Sequence, residues 1–360
     1  MKLICTLSAA AMMCVSTLLS GCMKWEHGEG VHDFDVEEGL LIACEGNFQY
    51  GNATLSYYDP ATRTVENEVF LRANGMKLGD VAQSVALDPD GRRAWIVVNN
   101  SHVVFAIDTH TFVERGRITG LPSPRYMHIV SPTKAYITQL WSNSIIIVNP
   151  SNYTTTGAIT VSDMTVQTGS TEQMIGLNGY VYVACWSYQN RLLRIDPETD
   201  RITATLEVAP QPRSMVVDYQ GRIWLLCDGS YPGQTGAAHL QCVDPEKMEV
   251  VADYQFDMSS TPSSLRVDPT KRRLYWIDGD VWEMSVDETV LPVMPTIGSR
   301  GTLYYSLYVS PVSGDLYLAD AIDYQQPGIV YRYSAEGELI DEFYVGVNPS
   351  SFGWIGEAKQ

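Results

Sequence analysis

Side chains able to grip a large organic molecule recur along this chain, whereas side chains set up to break a bond do not. Phe48, Trp141 with Asn143, Trp186 with Tyr188, Asp228 with Tyr231, and Asp320 with Tyr324 fall in polar segments between apolar runs. Gln83, Arg125 with Tyr126, Arg213, and Tyr304 with Tyr305 stand at the starts of other runs. Rings beside amides and guanidinium groups make a surface that holds a large ligand or a sugar. The six histidines (His27, His32, His102, His110, His128, His239) lie in unrelated contexts without ligand spacing. Neither a G-x-S-x-G nor a phosphate-binding loop occurs, and every carboxylate pair is already explained by a turn. The side chains therefore point to binding, and the chain is expected not to be an enzyme and to need no cofactor.

The elements that must position these residues are short strands. Pro124 to Val161 holds four apolar runs separated by Ser-Pro-Thr, Trp-Ser-Asn and Asn-Pro-Ser turns, which is the content of one propeller blade. An aromatic in the second run returns at Trp95, Tyr136, Tyr182, Trp224, Tyr275 and Tyr317, at intervals of 41 to 51 residues, at or somewhat above the length of a four-stranded blade. First strands begin near Gln83, Arg125, Glu172, Arg213, Ser263, Leu303 and Ser350. The pattern predicts an all-β, seven-bladed β-propeller.

The first repeat opens directly on a second strand, Gly39 to Cys44, followed by a third, Thr54 to Tyr58, and a fourth, Glu66 to Leu71. Its inner strand must come from the C-terminal end, from Ser350 to Ile355, which closes the ring and leaves no sheet edge at the seam. Antiparallel succession places the second-to-third loops and the blade-to-blade loops on one face. Asp-Pro turns such as Asp88-Pro89-Asp90-Gly91 fall on the other face and are explained by turn geometry. All the rings and polar residues named above lie on the first face. Asp228, Asp278 and Asp320 could converge there on a calcium ion, yet they serve equally well as solvated loop acids.

Residues 1–21 read as a lipoprotein signal peptide: Lys2, an apolar run from Leu7 to Leu19, and Leu19-Ser20-Gly21-Cys22, a lipobox that makes Cys22 the lipid attachment site. The apolar run is short for the roughly 20 residues of a membrane span. Residues 22–38 form a polar tether, and 39–356 a single propeller domain. The chain carries 24 Lys and Arg against 42 Asp and Glu, a net charge of −18 that becomes −19 once Lys2 is removed. Such a surface argues against nucleic acid and against adsorption to anionic lipid. Cys44, Cys185 and Cys227 align with Val98 and read as core residues. Cys227 and Cys242 flank one hairpin, and the spacing leaves bonded and free forms open.

The runs Ala94-Trp95-Ile96-Val97-Val98-Asn99-Asn100 and Ala135-Tyr136-Ile137-Thr138, each followed by a strand ending Ile107-Asp108 or Val148-Asn149, resemble the YVTN/YncE-type repeat. With the lipobox and the segments from Asn74 to Ser84 and Pro124 to Met127, the chain resembles surface lipoproteins of gut Bacteroides, the BtuG type among them. That resemblance implies a lipid-anchored protein of the outer membrane, facing outward or toward the periplasm. It further implies capture of cobalamin or another corrinoid and delivery to a TonB-dependent transporter. A general protein- or glycan-binding scaffold and a propeller hydrolase or lactonase are the alternative readings.

Overall fold

The computed structural model describes residues 34, 36–165, 167–231, 233–299 and 301–356. The signal peptide, Cys22 and all of the tether before Phe34 lie outside these residues. The described chain forms seven antiparallel sheets arranged as a β-propeller, with one short helix. Blade 1 holds β1 (Gly39–Cys44), β2 (Thr54–Asp59) and β3 (Thr64–Glu66), followed by α1 (Val69–Asn74). Blade 2 is β4 (Ala82–Leu87), β5 (Arg93–Val98), β6 (Val103–Asp108) and β7 (Glu114–Thr119). Blade 3 is β8 (Pro124–Ser131), β9 (Lys134–Gln139), β10 (Ser144–Asn149) and β11 (Thr154–Thr160). Blade 4 is β12 (Thr171–Leu177), β13 (Tyr180–Cys185), β14 (Arg191–Asp196) and β15 (Arg201–Glu207). Blade 5 is β16 (Pro212–Val217), β17 (Ile223–Cys227), β18 (His239–Asp244) and β19 (Glu249–Gln255). Blade 6 has β20 (Ser263–Val267), β21 (Arg273–Asp278) and β22 (Asp280–Ser285). Blade 7 has β23 (Tyr304–Val309), β24 (Leu316–Asp320), β25 (Pro327–Tyr333) and β26 (Leu339–Val347), and the chain ends in β27 (Pro349–Ile355).

The ring closes as the headless first repeat requires. Strand β27 pairs antiparallel with β1, from Gly39 opposite Ile355 to Cys44 opposite Pro349, and becomes the inner strand of blade 1. Gly353 lets this strand lie against β4, because a Cβ there would stand 2.6 Å from Leu87 and 2.8 Å from Val85.

The repeated aromatic has a packing reason. Trp95, Tyr136, Tyr182, Trp224, Tyr275 and Tyr317 are all buried, and each joins an apolar cluster shared with the next blade: Trp95 with Ile137, Tyr136 with Val183, Tyr182 with Leu225. Trp224 meets Trp276, Tyr275 meets Leu318, and Tyr317 meets Leu40 and Ile42 across the closing seam. A large ring at this position fills the wedge between two twisted sheets, so each blade buries its apolar face only when its neighbour is present. The turn acids serve the same rings. Asp88 accepts the Trp95 indole N–H at 2.7 Å, and Asp218 that of Trp224 at 2.9 Å.

Two expectations need correction, and the state of one cysteine pair that the spacing leaves open is visible in the register. Blade 6 is three-stranded: Pro292 and Pro295 follow β22, and proline has no N–H for a ladder, so a bridge from Val281 to Ile297 stands in place of an outer strand. The stretch expected as a strand from Glu66 to Leu71 leaves the sheet at Glu66 and turns into α1, which buries Val69 and Phe70 and stops at Gly75, with φ of 66°. Cys227 and Cys242 are free and apart. Cys227 sits opposite His239 and Cys242 opposite Trp224, three positions along one ladder and on opposite faces of the sheet. A disulfide needs Cβ atoms about 4 Å apart. Cys44 and Cys185 are buried as expected, and burial pushes each thiol up to about 12.

Candidate binding site at the channel mouth

Each inner strand begins in the same irregular way. The first paired residues of these strands are Ala82, Pro124, Thr171, Pro212, Ser263, Tyr304 and Pro349, and in every blade the register slips by one residue just beyond them. The next residue along is in turn Gln83, Arg125, Glu172, Arg213, Ser264, Tyr305 and Ser350. A bulge twists its strand and re-aims one side chain, and seven of them in register make a ring of polar side chains at one end of the channel.

The loops above this ring share its face. Immediately after the second strand, one backbone N–H donates to the carbonyl just before the inner strand: Glu45 to Asn348, Asn99 to Val81, Leu140 to Ser123, Trp186 to Ser170, Asp228 to Gln211 and Ala321 to Leu303, at 2.8 to 3.3 Å. The bond recurs in six blades and ties each second-to-third loop to a blade-to-blade loop. On these loops Phe48, Tyr50, Trp141, Tyr188 and Tyr324 are exposed. Gln49, His102, Trp141, Tyr188 and Tyr324 all have positive φ, between 56° and 69°, a left-handed conformation that non-glycine residues adopt only where the surroundings enforce it.

Inside the ring lies a cavity of about 490 Å³. Five of the residues expected at a site line it: Gln83, Tyr126, Arg213, Tyr304 and Tyr324. Tyr305, paired with Tyr304 in the sequence, lines it as well, as do Glu45, Gln173 and Arg266, which the sequence does not single out. A neighbouring cavity of about 410 Å³ shares Arg213 and adds Asp228 and Tyr231.

Other expected contacts are engaged within the protein. The Arg125 guanidinium grips Glu172 through Nε at 2.9 Å and Nη2 at 2.5 Å, and also donates to Gln83. Trp186 has the guanidinium carbons of Arg125 and Arg213 each 5.5 Å from its ring and donates its indole N–H to Asp228 at 2.9 Å. It is a wedge between two cations. Asp320 is buried and accepts the Ile322 N–H at 2.7 Å, which makes it a loop cap. Asp278 likewise accepts the Thr261 N–H. Among the described residues no group of acids, histidines and cysteines is gathered as a metal site. Phe48, Trp141, Asn143 and Tyr188 are exposed and do not line the cavity.

Electrostatics at the mouth are set by burial. The Glu45 carboxylate accepts the Tyr305 hydroxyl at 2.8 Å. Burial holds it above the ordinary carboxylate range despite that bond and the nearby Arg125 and Arg213. Asp228 is raised for the same reason, and Arg213 and the Trp186 N–H work against the rise. Glu45 was within reach of the sequence: the alignment that puts Cys44 level with Cys185 and Cys227 puts Glu45 level with Trp186 and Asp228.

The fold is shared with solved propellers at low identity. The periplasmic gluconolactonase PpgL of Pseudomonas aeruginosa superposes with a TM-score of 0.64 at 12% identity, over 90% of this chain and 100% of that one. A quinonprotein alcohol dehydrogenase-like protein of Bacteroides thetaiotaomicron gives 0.65 at 14%, over 88% of this chain and 78% of its own. A protein of Lactobacillus plantarum gives 0.64 at 11%, over 89% and 99%. No curated protein matches the sequence. The expectation that the chain is not an enzyme is corrected by the first of these: a gluconolactonase is built on the same ring, so the lack of a familiar catalytic motif does not exclude activity. The family model for a domain of unknown function, DUF5074, matches residues 38–348, and the chain belongs to that family.

Proposed function

We propose that the channel-mouth face captures a large organic ligand, with a corrinoid such as cobalamin the first candidate. The lipobox in the sequence supports attachment at the outer membrane, where the ligand would pass to a TonB-dependent transporter. The observation that carries this reading is the placement of exposed rings. Phe48, Trp141, Tyr188 and Tyr324 come from four blades, yet their loops share one face, around a polar cavity. A flat macrocycle fringed with amides would lay its apolar edges on such rings and its amides on groups such as Arg213, Gln83 and Asn143. The test is to titrate the protein with cyanocobalamin, following the corrin absorbance and then the heat. A saturable shift with one ligand per chain supports the reading; its absence at micromolar concentration removes the corrinoid and leaves a glycan- or protein-binding scaffold.

A second reading is favoured by Glu45. A carboxyl raised by burial, bonded to Tyr305 and facing a polar cavity beside Arg213, has the attributes of a general acid or base. A hydrolase of the lactonase kind would use it so. Hydrolysis of a panel of lactones, lost in Glu45→Gln while binding persists, is the result this reading requires.

A further inference from the structure

Apart from Arg266, the half-buried arginines among the described residues either pair with a carboxylate or, as Arg191 and Arg194 do, bond two or more neutral oxygens of other residues. Arg93 has Asp88 at 2.7 Å, Arg125 has Glu172 at 2.5 Å and Arg332 has Asp315 at 2.7 Å. Arg266 does neither. It lies on β20, two residues deeper than Ser264 of the entrance ring, which at about 3.3 Å per residue places it roughly 7 Å further in. It lines the cavity. Its guanidinium, which offers five N–H donors, donates to the Leu265 carbonyl at 2.8 Å and makes no ion pair among the described residues. The groups that act on its charge are the phenols of Tyr126 and Tyr308, and no acid is among them. Neither phenol hydroxyl makes a hydrogen bond among the described residues, and Tyr126 also faces the cavity.

We propose that the channel below the mouth binds an anionic group, a carboxylate or a phosphate, held by the Arg266 guanidinium with the hydroxyl of Tyr126. Burying an unpaired charge is costly, and breaking a buried pair typically costs several kcal/mol. Desolvation does act on Arg266, pulling its pKa down. An anion would take up the idle donors and relieve this penalty through charge-assisted hydrogen bonds. Local charge permits it although the whole chain is at −18. Glu172 is spent on Arg125, and among the charged residues that line the cavity Arg213 and Arg266 outnumber Glu45, so the channel is positive. Low-dielectric walls concentrate that potential on a small anion. The site shares its cavity with the function proposed above but does not depend on the identity of the large ligand.

The experiment is calorimetric titration of the full chain in low-chloride buffer with inorganic phosphate and, separately, with citrate. One-to-one saturable binding of at least one probe is expected, weakened tenfold or more by Arg266→Gln and severalfold by Tyr126→Phe, and unchanged in Asp244→Ala, a turn residue of the opposite face. Tighter phosphate marks a phosphoryl ligand, and tighter citrate a carboxylate. No saturable heat with either probe overturns the proposal, as does an Arg266→Gln protein that binds like the parent. Where Arg266→Gln does not fold, Tyr126→Phe decides by the same comparison, with parent-like binding counting against the site. Anion binding without corrinoid binding supports this site and removes the corrinoid; corrinoid binding without anion binding does the reverse.

Discussion

Arg125 and Glu172 meet across the seam between blades 3 and 4 in a two-pronged ion pair, with side chains 11% and 1% exposed. Such a pair is more informative when broken than when whole. Removing one partner strands the other charge in a dry site, at a cost of about 3–5 kcal/mol. Arg213, one blade further on, is exposed and makes no ion pair among the described residues. Arg125→Ala should therefore lower the unfolding free energy by about 3–5 kcal/mol, whereas Arg213→Ala should change it by about 0.5 kcal/mol or less. Urea melts of the two variants separate a structural arginine from a surface one. Equal losses would contradict the assignment.

Glu45 gives the mouth a pH dependence. Its carboxyl is raised in the folded chain, so ionising it opposes folding. The advantage of the neutral acid is complete below the ordinary value of 4.5 and is lost as pH rises through the higher folded value. Glu45→Gln keeps the shape without the charge. It should melt at a higher temperature than the parent at pH 7 to 8, with the gap closing toward pH 4. A gap independent of pH would show that the bond to Tyr305, and not burial, governs this residue.

Much of the ring was legible because propeller signals repeat. Strand starts inferred at Gln83, Arg125, Arg213, Ser263 and Ser350 fall within one residue of the observed ones, since each follows a turn whose chemistry recurs. The missing outer strand of blade 6 was also written, in Pro292 and Pro295, but a four-strand template overrode it. What the residues did not disclose is partnership across blades. Nothing local to Arg125 reveals that Glu172, 47 residues on, consumes its guanidinium, or that Trp186 sits between two cations. Arg266 was missed because only the first residues of inner strands were counted as facing the channel, although a site extends along the strand as well as around the ring.

Closure by β27 should carry much of the domain's stability. Phe352 is buried, stacks on Tyr308 at 5.6 Å between ring centres, and belongs to the cluster joining blades 7 and 1. Phe352→Ala should cost about 3–5 kcal/mol, the usual penalty for emptying a large aromatic site. Ending the chain after Gly346 removes β27 entirely, exposes the edge of β1, and should abolish cooperative unfolding in a thermal scan. A truncated chain that melts like the parent would mean that the ring does not depend on this strand.

The thiols offer a check on register. Cys227 and Cys242 face opposite sides of one sheet, and Cys44 and Cys185 are fully buried, so all four should resist a thiol reagent in the native protein and react after denaturation. Reductant should leave the melting temperature unchanged. A drop on reduction would reveal a disulfide that the observed register does not allow.

The binding face is open to a sharper test than ligand screening. Trp141, Tyr188 and Tyr324 hold left-handed backbone conformations and expose their rings, an arrangement unlike that of a ring buried in a blade core. Replacing Trp141 or Tyr188 by Ala should leave stability nearly unchanged and weaken cyanocobalamin binding by roughly 1–4 kcal/mol, the range of an interface anchor. Trp186→Ala should do both, because its ring touches two arginines and its N–H satisfies the half-buried Asp228. On the opposite face Asp196 and Asp244 cap turns through backbone N–H groups at 2.9 and 3.0 Å, so Asp196→Ala and Asp244→Ala should act on folding alone. Calorimetry and thermal melts on these five variants place the ligand. Binding that survives both Trp141→Ala and Tyr188→Ala unchanged would move it off the ring-bearing rim.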